Sequence, residues 1–201
     1  MLSGIGTVSG SVAIVVAAFL GRNALKNFRH QKVVERQVEQ AEKALTVAYR
    51  LKDAISEMRS PMTLPHESEE SRAELNGKDW FDSMPNDRQQ RYVQSNVFYQ
   101  RMRHHKDAFD MAFSIIPFAK AYFGPEAEES FRKILKCGRS VRVYADAYAR
   151  DEGHDPDFSL KIENKIWEGA SPDDEDNILT DINGAIAALE AKLLPIIRLS
   201  Q

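Results

Sequence analysis

The chain begins with an apolar block and continues with alternating apolar and polar positions. Residues 2–21 contain no charged side chain, and the run from Val12 to Leu20 is entirely apolar. Twenty residues in a helix span about 30 Å, which matches the hydrocarbon thickness of a bilayer. No Lys or Arg precedes the block, whereas a cleaved secretory signal begins with a basic region. The pattern therefore predicts a transmembrane helix over residues 1–21, with a cleaved signal or a buried core helix as the alternatives.

The charges next to this block predict its orientation. Five basic residues follow it within fifteen positions: Arg22, Lys26, Arg29, Lys32 and Arg36. Basic residues flanking a membrane helix favour the cytoplasmic side, and they attract anionic lipid headgroups. We therefore expect a single-pass protein of the cell membrane, with its N-terminus outside, its C-terminal domain in the cytoplasm, and membrane lipids as contacts of the basic cluster.

Small residues recur within the apolar block. Gly6 and Gly10 form a GxxxG pattern, and this spacing lets two membrane helices approach closely. The pattern predicts a helix-dimer face, so a homo-oligomer is one expectation for the partner.

A long amphipathic helix is predicted for residues 22–60. Its apolar or small positions recur in steps of three and four, and the helix is expected to stop at Ser60 and Pro61. A coiled-coil seam here is weak, because Ala41 and Ala48 would bury little area within it. We expect the helix to continue from the membrane segment and to pack against the helices that follow.

The composition changes between Pro61 and Pro85. Glutamate, serine and turn-forming residues dominate this stretch, and its net charge is negative. We interpret residues 61–85 as an acidic loop. Its two large aromatic residues, Trp80 and Phe81, are expected to dock the loop on the core, with an exposed partner-binding anchor as the alternative.

Helical periodicity returns in residues 86–201. One helix is predicted from residue 86 to about 123, and a second from 126 to about 151. A third should open at Ser171 and Pro172 and be kinked or ended by Pro195. Residues 157–163 form either a short strand or a helical connector. The predicted fold class is all-α, with a single N-terminal transmembrane helix followed by a cytoplasmic bundle of about four helices, in which 86–201 packs with 22–60.

Composition excludes several classes of site. Cys137 is the only cysteine in the chain, so an intrachain disulfide and a multi-cysteine zinc site are excluded. The net charge of −3 gives no global argument for a nucleic-acid binder. Positive charge does gather in 101–106 and 132–142, but such runs are usually solvated helix faces. The charge pattern therefore disfavours a nucleic-acid partner.

Four residues are candidates for catalysis: His104, His105, His154 and Asp155. Together with Asp181 they resemble the His…His-Asp…Asp pattern of helical metal-dependent phosphohydrolases. The resemblance implies a metal held by imidazole and carboxylate groups on facing helices. No convergent set of nucleophile, base and oxyanion donors is visible elsewhere in the motifs.

The sequence therefore favours an interaction protein over an enzyme. We expect a membrane-anchored scaffold, adaptor or regulator that binds another protein, with no cofactor and no metal. The alternative is a membrane-tethered metal-dependent hydrolase or phosphohydrolase that uses the four candidate residues.

Overall fold

The computed structural model describes the backbone of residues 4–169 and 177–198, and the side chains of 25–169 and 177–198. Within these ranges the chain is all-helical. Eight helices follow one another in the described segments: α1 (Gly4–Met58), α2 (Pro65–Leu75), α3 (Asp79–Asp82), α4 (Asn86–His104), α5 (Lys106–Phe123), α6 (Pro125–Arg150), α7 (Pro156–Ile166) and α8 (Asn177–Arg198). The all-α prediction is thereby confirmed for the described part of the chain, and residues 157–163 lie in a helix.

Helix α1 changes character along its length. Residues 25–33 are all exposed, including Leu25, Phe28 and Val33. From Ala41 to Met58 one face is buried, because its apolar residues follow the three-and-four spacing of a helix stripe. The second half of α1 is thus a core helix, and residues 25–33 form a stalk outside the core.

The main core lies between α1, α5, α6 and α8. Its fully buried side chains include Leu51 and Ile55 from α1, Phe131 and Ile134 from α6, and Leu189 from α8. Side-chain contacts of Tyr49 with Glu190 and of Lys52 with Asn183 show that α8 runs antiparallel to α1. A smaller cluster on α6 and α7 contains Tyr148, Ile162 and Ile166.

The predicted acidic loop over 61–85 is wrong, because most of it is helical. Pro65 occupies the first turn of α2, and the Glu67 carboxylate accepts a hydrogen bond of 2.8 Å from the Leu64 N–H. Leu75 and Phe81 are buried against Val93 of α4. Phe81 thus docks the segment as expected, whereas the neighbouring Trp80 stays 44% exposed.

The single helix predicted over 86–123 is two helices. The chain turns at His105, where the backbone has φ −90° and ψ 12°. The turn is tight, since the Ala108 N–H donates to the His105 carbonyl at 3.0 Å. No Gly or Pro marks the position. On either side of it the two helices pack differently, since α4 lies mainly against α2 and α6, whereas α5 lies mainly against α1 and α6.

Two predictions fall partly outside the described residues. The first is the transmembrane helix 1–21, whose side chains are not described. The second is the start of the last helix at Ser171, which also lies outside the described residues. Where side chains are described, no helix combines the length and the apolar character that crossing a membrane requires. Helix α8 continues through Pro195 to Arg198.

Candidate functional site

A surface groove of about 380 Å³ lies where the turn between α4 and α5 meets α6. Helix α6 contributes residues at helical spacing, so that they share one face. The lining consists of Met102, Arg103, Lys106, Phe109, Phe113, Leu135, Gly138, Arg139 and Arg142. The apolar members form the floor and the basic members form the rim.

The floor depends on the glycine at position 138. A Cβ atom there would lie 3.0 Å from Cε1 of Phe109, closer than such atoms normally approach. Gly138 therefore lets the Phe109 ring lie directly against α6. Any larger residue would push this ring and change the shape of the floor.

The rim is basic on both sides. Of its four cations, Lys106 pairs with Asp110 and Arg103 lies 3.1 Å from Glu74. Arg139 is exposed and makes no ion pair with another described side chain. No carboxylate is among the described residues that line the groove, and Arg139 is the rim cation most available to an anionic group.

Arg142 lies beside a half-buried polar pair. Tyr99 donates a hydrogen bond to Asp146. Desolvation, and secondly this hydrogen bond, raise the pKa of Tyr99 to about 12, while Arg142 acts in the opposite direction. Tyr99 therefore stays protonated at neutral pH, and Asp146 keeps the rim beside Arg142 from being purely cationic.

One aromatic side chain of the groove is left in solvent. Phe113 lines the groove and is 58% exposed. Aromatic side chains left in solvent next to a groove mark a binding surface more often than scattered apolar residues do. An apolar floor with a few charged groups at its edge is also the usual composition of a ligand site.

Two of the predicted catalytic residues lie in a different cleft. His104 and His105 line a space of about 360 Å³ together with His66 and the carboxylates of Glu57, Glu67 and Glu70. The Nε2 atom of His105 lies 3.1 Å from the Glu57 carboxylate. In the described part of the chain, no three His, Cys, Asp or Glu side chains are arranged to hold a metal ion.

The other two candidates lie at the opposite end of α4. His154 is 82% exposed and lies 3.5 Å from Glu152, which pairs with Arg88 near the start of α4. Arg88 and His104 are sixteen residues apart on this helix, which corresponds to about 24 Å.

Asp155 has a local structural role. It caps α7 by accepting hydrogen bonds from the backbone N–H groups of Asp157 and Phe158, at 3.1 and 3.2 Å. Asp181 pairs with Lys133 at 3.0 Å. The structure therefore does not bring His104, His105, His154 and Asp155 together.

The predicted membrane-flanking residues are partly described. Lys26, Arg29, Lys32 and Arg36 are exposed on α1, and Lys32 pairs with Glu35 at 2.7 Å. The side chain of Arg22 and the predicted dimer face at Gly6 and Gly10 lie outside the described side chains.

The sequence alone did not identify the groove. Its basic residues were visible only as a charge run, although Leu135, Gly138, Arg139 and Arg142 follow the i, i+3, i+4, i+7 spacing of one helix face. That spacing could have indicated a shared face. It could not indicate which other helix lies opposite.

Comparisons with protein-family models, curated proteins and solved structures give no match to this chain.

Proposed function

We propose that this chain is a single-pass, membrane-anchored interaction protein, a scaffold, adaptor or regulator, whose helical bundle binds a partner protein at the groove. The observation that carries the proposal is the groove itself, an apolar floor with an exposed Phe113 and a rim of four cations. Such a surface supplies buried area at its centre and charged groups at its edge, as protein interfaces do.

The proposed anchor is the apolar block of residues 2–21. Its length suits one crossing of a bilayer, and the basic residues after it favour a cytoplasmic bundle. Residues 25–33 add an exposed stalk between the anchor and the core, with basic side chains that can contact lipid headgroups. The GxxxG pattern at Gly6 and Gly10 adds a proposed contact between two copies within the membrane.

The anchor is tested by extraction and topology. The full chain should stay in the membrane pellet after alkaline carbonate washing, because an inserted helix resists extraction. A chain that starts at Arg22 should appear in the supernatant.

The orientation is tested with a reporter fused after Gln201, which should be cytoplasmic. Replacement of Arg22, Lys26, Arg29 and Lys32 by Gln should give mixed orientations, because the charge bias is removed. Complete extraction of the full chain by carbonate would refute the anchor.

A further inference from the structure

We infer that the occupant of the groove is an acidic amphipathic helix of the partner protein. This inference rests on the proposed function and specifies the chemistry of its partner. It predicts a segment with one apolar stripe and carboxylates on both flanks of that stripe.

The dimensions of the groove suit a short helix. The α6 side runs from Leu135 to Arg142 and the α5 side runs from Lys106 to Phe113, each about 10 Å along its helix. These lengths correspond to about two turns of a bound helix. Helices bound in grooves insert apolar side chains spaced by three, four and seven residues, and an apolar floor of this length can accept such a set.

The charge distribution specifies the flanks of that helix. Arg139 and Arg142 lie on the α6 side and make no ion pair with a described side chain, whereas Arg103 and Lys106, beside the α4–α5 turn, form solvent-exposed pairs with Glu74 and Asp110. Exposed pairs of this kind contribute little free energy, so a carboxylate of the partner can replace Glu74 or Asp110. A helix lying between them would have cations along both edges. Glutamate or aspartate on both flanks would be complementary to this rim, and complementary charge accelerates association and disfavours basic competitors.

The position of the groove along α1 favours a protein segment over the anchoring membrane. A Cβ atom on Gly138 would lie 3.5 Å from Cδ1 of Ile55, so the groove lies at the level of Ile55 on α1. Ile55 is 34 residues beyond Gly21, a distance of about 50 Å along the helix. Lipid headgroups at the anchor are therefore remote from the groove when the helix stands upright.

The test is selection from two matched peptide libraries on the full-length chain in nanodiscs. Both libraries hold 14-residue helices with randomised apolar anchors, and four flank positions are fixed as Glu in one library and as Lys in the other. We expect enrichment of the Glu library only. Selected peptides should bind at least tenfold more weakly to the R139E/R142E variant. Their binding to the wild type should weaken as the salt concentration is raised.

A matched variant separates rim chemistry from net charge. K136E/R150E makes the same change in charge on α6 at two exposed residues outside the groove. Its affinity for the selected peptides should stay within about twofold of the wild-type value. Thermal melts confirm that both variants are folded.

Three results would overturn the inference. The first is equal enrichment of the Lys library, and the second is a failure of both libraries to bind. The third is binding of phosphatidylserine vesicles or single-stranded DNA that R139E/R142E abolishes while Glu peptides do not bind. Each result excludes the acidic helix, whereas the proposed interaction function is tested separately, by photocrosslinking from position 113 in the groove.

Discussion

Replacing Arg101 by Ala should lower the free energy of unfolding by about 3 kcal/mol, the lower end of the cost of breaking a buried ion pair. The Nε and Nη2 groups of Arg101 donate to the two carboxylate oxygens of Glu67, each at 2.8 Å. Nη1 donates to the Ser60 carbonyl at 2.8 Å, and Nη2 donates to the Met62 carbonyl at 2.6 Å. One side chain of α4 thus joins the residues that follow α1 to the first turn of α2.

The measurement is chemical denaturation of the wild type and the variant. R101K should recover only part of the loss, because an ammonium group cannot make the paired hydrogen bonds of a guanidinium. R103A is the matched control, since Arg103 lies on the same helix and its pair with Glu74 is exposed. R103A should lower the free energy of unfolding by only about 0.5 kcal/mol. Equal losses for R101A and R103A would contradict the account.

The Arg101–Glu67 pair makes the free energy of unfolding depend on pH in a defined direction. The hydrogen bond from Arg101 lowers the pKa of Glu67 from its ordinary value of 4.5, although desolvation opposes it. A lowered folded-state pKa contributes stability that is present above pH 4.5 and is lost as the pH falls through the folded-state value. The difference in stability between wild type and R101A should therefore shrink below about pH 4.5.

A chain that starts at residue 61 should fail to fold cooperatively. Helix α1 contributes Leu45, Val47, Leu51, Ile55 and Met58 to the main core, all buried. Burial of five apolar side chains of this size contributes on the order of 10 kcal/mol to the free energy of unfolding, which is comparable with the whole stability of a typical domain. Without α1, the faces of α5 and α8 that pack against it would be exposed to water.

The matched control is a chain that starts at Val34. It lacks the exposed stalk 25–33 but keeps the buried face of α1, so its denaturation midpoint should equal that of a chain starting at Leu25. Circular dichroism during urea titration distinguishes a cooperative transition from a gradual one. A cooperative transition for the chain starting at residue 61 would show that α1 is dispensable to the core.

The helical character of the chain could be predicted because apolar residues recur at the period of a helix. Residues 41–58 illustrate this, since their stripe is the face that the structure buries. The predicted loop over 61–85 failed because its serines and glutamates hid a local cap at Glu67 and buried positions at Ser71 and Leu75. The turn at His105 has no sequence signal, since neither Gly nor Pro lies there, and the main packing partners of α4 and α5 are visible only in the structure.

The site was less accessible to prediction than the fold. Histidines in a sequence suggest metal binding, yet His104 is the last residue of α4, whereas His154 lies between α6 and α7, near the start of α4. The groove combines two short faces that are separated by more than twenty residues in the sequence. Only the tertiary packing of α5 against α6 brings Phe109 next to Gly138.

The most direct test of the proposed function is site-specific photocrosslinking of the full-length chain in its own membranes. A photoreactive residue replaces Phe113 in the groove, and in a control chain it replaces Phe158 on α7, whose exposure is similar, 51% against 58%. We expect a crosslink to a protein from position 113 that disappears in R139E/R142E, and none from position 158. No crosslink at 113, or an equally strong one at 158, would contradict the proposed function.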